Sequence, residues 1–179
     1  DLWKHFKSVQ VSASLDASHE HAAYIRKGTV WENIVNNRIQ MQKETPEIEF
    51  DITPTVSMMN VWHLPDFHRE WVELGYINPA SMRINNLLDP RYFCMQVLPL
   101  DFKKEVTDKW MKHIEFIKNH KDYDPNYRWE ESVIGMLAFL NKQDRSHLLP
   151  DTIAELEQWD IVRKENWYDV LSELNFMKD

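Results

Sequence analysis

Cysteine is almost missing from this chain of 179 residues: Cys94 stands alone. One thiol excludes an internal disulfide framework and fits a reducing, cytoplasmic setting. Glycine is scarce as well, with only Gly28, Gly75 and Gly135. So few glycines leave no room for a phosphate-cradling P-loop or a dinucleotide fingerprint. Positive charge is in deficit, and the net charge of −8 argues against a general nucleic-acid binder, which needs surplus Lys and Arg to neutralise phosphates. No apolar run approaches the roughly 20 residues of a membrane span. The opening Asp1-Leu2-Trp3-Lys4-His5 has neither an initiator Met nor a signal peptide's apolar stretch. It reads as an internal cut in a longer chain.

What is present is ordinary globular material with a surplus of tryptophan. Hydrophobic residues make up 43% and charged residues 28%, enough for one domain with a sizeable core. Eight Trp residues are expected mostly in the core or lining a groove. The most informative stretch is Val9–Asn37. Val9, Val11, Ala13 and Leu15 alternate as in a strand, which ends in Ser-Leu-Asp. A polar loop carrying Tyr-Ile-Arg-Lys-Gly follows, then an amphipathic helix over Val30–Lys43 with Thr29 as its cap. Ile48–Met59 is a second strand, and Pro54 within it predicts an edge or a break. Leu64–Leu74 is a helix closed by Gly75. A third strand lies in Met82–Leu88 or Tyr92–Leu98.

Strand and helix alternating in this order predict a parallel sheet with crossover helices. After Pro99 the pattern turns helical: Phe102–Asn119, Arg128–Asn141 and Asn166–Leu174 each carry an apolar stripe read as core. Leu2–Lys7 reads as the end of a helix. The division is therefore residues 1–100 as strand–helix units and 101–179 as a helical extension.

Several constellations invite chemistry. Ser14 and Asp16 sit at the carboxyl end of a strand, where open α/β folds and β/α barrels bind ligands. They suit the vicinal hydroxyls of a ribose, or equally a loop cap made of local side-chain bonds. Arg26 and Lys27 suit a carboxylate or phosphate, or a solvated loop. His19 and His21 lack a third metal ligand nearby, and none of the eight histidines falls in a zinc motif. No Gly-x-Ser-x-Gly elbow supports Ser-His-Asp catalysis. Cys94, inside an apolar run, reads as a buried hydrophobe.

Taken in order, Ser14-Leu15-Asp16, Tyr24-Ile25-Arg26-Lys27-Gly28, Trp31-Glu32 and Asn36-Asn37 resemble the fourth strand–helix unit of radical S-adenosylmethionine enzymes. Within that family the segment looks most like the twitch or SPASM type found in phage and bacterial genomes. Pro54-Thr55-Val56 with Asn60 is similar to its fifth strand, and Val97-Leu98-Pro99 to the exit from its sixth. Phe139–Asp144 and Asp160–Leu171 resemble its closing helices. The resemblance implies a partial (β/α)6 barrel and a [4Fe–4S] cluster held by Cys-x3-Cys-x2-Cys. That cluster cleaves S-adenosylmethionine to a 5′-deoxyadenosyl radical, which takes hydrogen from a peptide or small polar substrate. It places Ser14 and Asp16 near the cofactor's ribose, Arg26 near its carboxylate, and Asn60 in the same pocket. No catalytic residue and no metal ligand of this chain is implied.

The chain departs from the family pattern in three ways. The cysteine motif and the early glycine-rich strand are absent, as expected if they precede Asp1. Ala17 stands where the family has glycine, and the cysteines of an auxiliary cluster are missing. Because thiolates hold such clusters, the chain alone is expected to be inactive. The competing reading is an α/β interaction or scaffold module whose acidic surface and Trp-lined groove bind a partner protein.

Overall fold

The computed structural model describes residues 2–177. A short 3₁₀ turn, Leu2–His5, stands where the end of a helix was expected. Strand β1, Gln10–Ala13, pairs in parallel with β2, Glu49–Ile52, from Gln10 opposite Glu49 to Ala13 opposite Ile52. The second strand is broken at Thr53-Pro54, because proline has no N–H to donate, and resumes as β3, Thr55–Val56. On its other side Ile52 bridges Met82 in parallel, and β3 pairs in parallel with β4, Asn85–Asn86. The third strand therefore lies in Met82–Leu88. Tyr92–Leu98 instead forms two 3₁₀ turns, Arg91–Phe93 and Met95–Val97.

The result is a mostly helical α/β fold built on small parallel strand pairs, and among the described residues the strands do not close into a barrel. β1 alternates as its sequence dictates, yet its inner face is only half-buried. It has a hydrogen-bonded neighbour on one edge only among the described residues.

Helix α1, His19–Ile25, occupies most of the stretch expected to be a polar loop. Helix α2, Trp31–Glu44, begins after Val30 rather than Thr29, and no side chain caps it. Helix α3, Leu64–Glu73, buries Leu64, Phe67, His68, Trp71 and Val72, the spacing of one helix face. Gly75 ends it at φ 69°, a conformation that costs glycine no Cβ clash.

The helical half follows. Helix α4, Leu100–Lys118, and helix α5, Trp129–Asn141, bury the stripes expected of them, including Trp110 and Trp129. Helix α6, Leu149–Arg163, carried no clear stripe, and only Thr152 and Leu156 are fully buried on it. The predicted Asn166–Leu174 helix is split into α7, Trp167–Val170, and a 3₁₀ turn, Ser172–Met177. Asn166 caps α7 by accepting from the Tyr168 N–H at 3.2 Å. One hydrophobic cluster runs from Tyr24 to Met177 through both halves. Trp110 links them directly: its indole N–H donates to the Val61 carbonyl at 2.8 Å.

Candidate functional site

Strand β1 runs straight into Ser14-Leu15-Asp16, so these side chains emerge at the carboxyl ends of the parallel strands. Asp16 is buried and both its oxygens are engaged. Oδ1 accepts the Thr55 N–H at 2.7 Å, tying the end of β1 to β3. Oδ2 accepts Arg26 Nε at 2.5 Å, and a second Arg26 nitrogen donates to Ser14 Oγ at 2.9 Å. Arg26 follows α1, and the chain turns there because Gly28 adopts φ 93°. About half of the Arg26 side chain remains in solvent, so its pairing with Asp16 faces outward.

Asn60 joins the same network from behind. It is fully buried, and its Nδ2 donates to the carbonyls of Asp16 at 2.9 Å and Thr55 at 3.0 Å. Its Oδ1 accepts the Ser57 N–H at 2.8 Å. Its amide nitrogen is turned wholly to backbone, so Asn60 brackets the two strand ends together. Ser14, Asp16, Arg26 and Asn60, four residues separated by up to 46 positions, thus meet in one hydrogen-bonded rim.

A second polar set beside it was not legible from sequence. His63 Nε2 lies 3.3 Å from the Ser18 N–H and 2.9 Å from Ser18 Oγ. Burial, followed by the neighbouring His21, pushes the His63 pKa down to about 3. The ring is therefore neutral at neutral pH, and since the backbone N–H must donate to Nε2, the serine hydroxyl donates there too. His21 stacks on His63 at 4.0 Å and reaches Glu173 at 3.2 Å. His19 turns away to Glu70 at 3.0 Å. Among the described residues no group of three His, Cys, Asp or Glu side chains could hold a metal ion. Nothing in the local sequence signals the Ser18–His63 contact, which joins residues 45 positions apart.

The helical tail grips this rim. The Tyr24 hydroxyl donates to Asp160 at 3.0 Å, and the Trp167 N–H donates to the other Asp160 oxygen at 2.9 Å. Arg163 donates to the Tyr24 carbonyl at 2.9 Å, and Lys27 pairs with Glu165. Burial first, then the Asp160 contact, raises the Tyr24 pKa, so this hydroxyl stays a donor. Cys94 is fully buried, with only a weak contact to Gln96.

Comparison with protein-family models, with curated proteins and with solved structures gives no match for this chain. No helix among the described residues is long and apolar enough to cross a membrane.

Proposed function

We propose that the chain is the C-terminal portion of a radical S-adenosylmethionine enzyme, the last strand–helix units of a partial (β/α)6 barrel followed by a helical tail. One observation carries the reading. Ser14, Asp16 and Arg26, singled out by their order in the sequence, share a hydrogen-bonded rim at the carboxyl ends of parallel strands. That is where this class of fold places its ligands.

The rim residues fit the nucleoside and amino-acid parts of the cofactor. Each Asp16 oxygen uses one lone pair on Thr55 or Arg26 and keeps another for a ribose hydroxyl. The exposed Ser14 hydroxyl offers a neighbouring contact. Arg26 spends two of its nitrogens on Asp16 and Ser14 and retains N–H groups for a carboxylate. Asn60 does not touch the ligand in this reading; it keeps the strand ends at fixed separation. Once bound, S-adenosylmethionine would supply the hydrogen-abstracting chemistry, and these residues bind and orient it.

The iron–sulfur cluster does not fit this chain. Its only thiol, Cys94, is buried in the core, and the residues that would hold a cluster must lie elsewhere. The substrate belongs to the peptide or small polar class, and the setting is cytoplasmic in this proposal.

The decisive experiment is to read the coding sequence upstream of Asp1. A Cys-x3-Cys-x2-Cys run about 90–120 residues before Ser14, the span of three strand–helix units, is expected. Its absence would return the chain to the class of α/β interaction modules. In the full-length protein, Ser14→Ala is expected to weaken S-adenosylmethionine binding about tenfold, the worth of one hydrogen bond. Unchanged affinity would remove the ribose assignment.

A further inference from the structure

Away from the rim, a cavity of about 550 Å³ lies between the loop that follows β4, at Arg91 and Tyr92, and the turn from α5 to α6 at residues 143–148. Its arginines stand out against the rest of the chain. There are eight arginines in a chain of net charge −8, so carboxylate partners are plentiful. Arg26, Arg69, Arg83 and Arg128 each pair with one. Arg38 and Arg163 donate to backbone carbonyls and lie over aromatic rings. The Arg91 side chain is exposed and, among the described residues, makes no hydrogen bond, ion pair or ring contact. Arg145, half-buried, spends Nε and one terminal nitrogen on Gln143 Oε1, at 3.0 and 2.8 Å, within its own turn. The two arginines least committed to the fold thus share one cavity wall.

The other polar groups of that wall suit an anion. His147 is exposed there. Asp144 is the only carboxylate among the described residues lining it, and Asp144 is engaged: Oδ1 accepts the Ser146 N–H at 2.9 Å, and Lys103 and His147 stand near it. Lys103 is a buried ammonium behind the turn, donating to the Gln143 carbonyl at 2.9 Å. Two guanidiniums, an imidazole and this ammonium are set against one carboxylate, a local excess of positive charge on an acidic chain. Tyr92 and Leu148 supply the apolar part of the wall. The Tyr92 hydroxyl has Glu155 and Asp89 nearby, which turns an anion away from it and toward the arginines. Its ring is fixed edge-on to Phe93 at 4.9 Å. The wall is also tied from behind. The Arg145 N–H donates to the Gln96 carbonyl at 3.1 Å, and the Thr152 hydroxyl donates to the Tyr92 carbonyl.

We infer that this cavity binds a small phosphate monoester, its phosphate on Arg91 and the remaining N–H groups of Arg145 beside His147, its organic part on the Tyr92 ring and Leu148. A phosphate presents three strong acceptor oxygens and can take donors from two guanidiniums and an imidazole together. A carboxylate has two oxygens, and a single guanidinium fork fills them. The volume exceeds the need of a bare phosphate and is that of a small-molecule site. This inference does not depend on the radical-enzyme reading.

The test is a titration of the full chain, isotopically labelled, with phenyl phosphate, glycerol 3-phosphate, inorganic phosphate and benzoate, followed by the amide resonances of residues 91–92 and 143–148. At least one of the two esters is expected to give saturable shifts, with inorganic phosphate and benzoate at least tenfold weaker. Arg91→Gln is expected to weaken ester binding at least tenfold and to leave the fold intact, because that side chain holds nothing in place. Arg128→Gln removes the same charge from an exposed site elsewhere and is expected to change binding less than twofold. No saturable shift with either ester overturns the inference. So does benzoate binding as tightly as the esters, full binding by Arg91→Gln, or an equal loss in Arg128→Gln, which would mark general charge attraction. Inorganic phosphate binding as tightly as the esters overturns the assignment of an organic part to Tyr92 and Leu148.

Discussion

The rim at the strand ends and the interior between α3 and α4 handle polar groups in opposite ways. At the rim, the buried Asp16 is ion-paired and hydrogen-bonded with Arg26, about half of whose side chain is open to water. In the interior, His68 and His113 face each other at 2.9 Å against Trp129. Burial drives both rings to the neutral form, and the His113 pKa falls to about 4. One region pairs opposite charges and the other excludes charge. The contrast shows where changes will read out in folding: strongly for buried groups, weakly for the exposed side chains of the rim.

The strongest way to probe this contrast is to open the interior. Trp110 is fully buried and its indole bridges α4 to the sheet half. Trp110→Ala is expected to cost about 3–5 kcal/mol in urea unfolding. A loss under about 1 kcal/mol would mean the two halves do not share one core.

Acid comes next. His113 is held neutral in the fold by burial, with Arg69 and Lys109 adding to the effect and Asp66 opposing it. An unfolded histidine takes its proton near pH 6.5, so stability is full above that pH and drains away as pH falls toward 4. His113 alone is expected to account for about 3 kcal/mol of loss by pH 4, and His63, held lower still, adds to the loss over the same range and on toward pH 3. Chemical unfolding at a series of pH values measures it, and His113→Gln should flatten the slope. An identical slope in that variant would place the acid sensitivity elsewhere.

Asn60→Ala is intermediate. It strands the buried Ser57 N–H and two carbonyls, an expected loss of about 1–3 kcal/mol. It should also loosen Asp16, visible as faster hydrogen exchange at the Thr55 amide. Ser14→Ala lies at the small end. The residue is exposed, so stability should move by less than about 0.5 kcal/mol, and a larger change would make Ser14 a folding residue.

Much of the frame was legible in the residues. The alternation in β1, the parallel order, Pro54 as a break and Gly75 as a stop each express a local rule. The stripes of α4 and α5 likewise predicted which tryptophans are buried. Local pattern failed where tertiary contacts decide the conformation. Residues 19–25 look like loop, yet Tyr24 anchored on Asp160 and His21 on Glu173 help hold them as a helix. Helix α6 escaped notice because it rests on few buried side chains. The sequence order grouped Ser14, Asp16 and Arg26 but could not show that Asn60 spends its amide nitrogen on the carbonyls of Asp16 and Thr55.

Asp160 holds Tyr24 with one oxygen and the Trp167 amide with the other, so a single carboxylate staples the last helices to the segment that ends in Arg26. Trimming the chain ahead of this residue would shorten it by a few turns on paper and unmoor the guanidinium some 130 positions earlier in practice. Chimeras that exchange the carboxyl-terminal quarter between homologous chains must therefore carry residues 21–27 along with it.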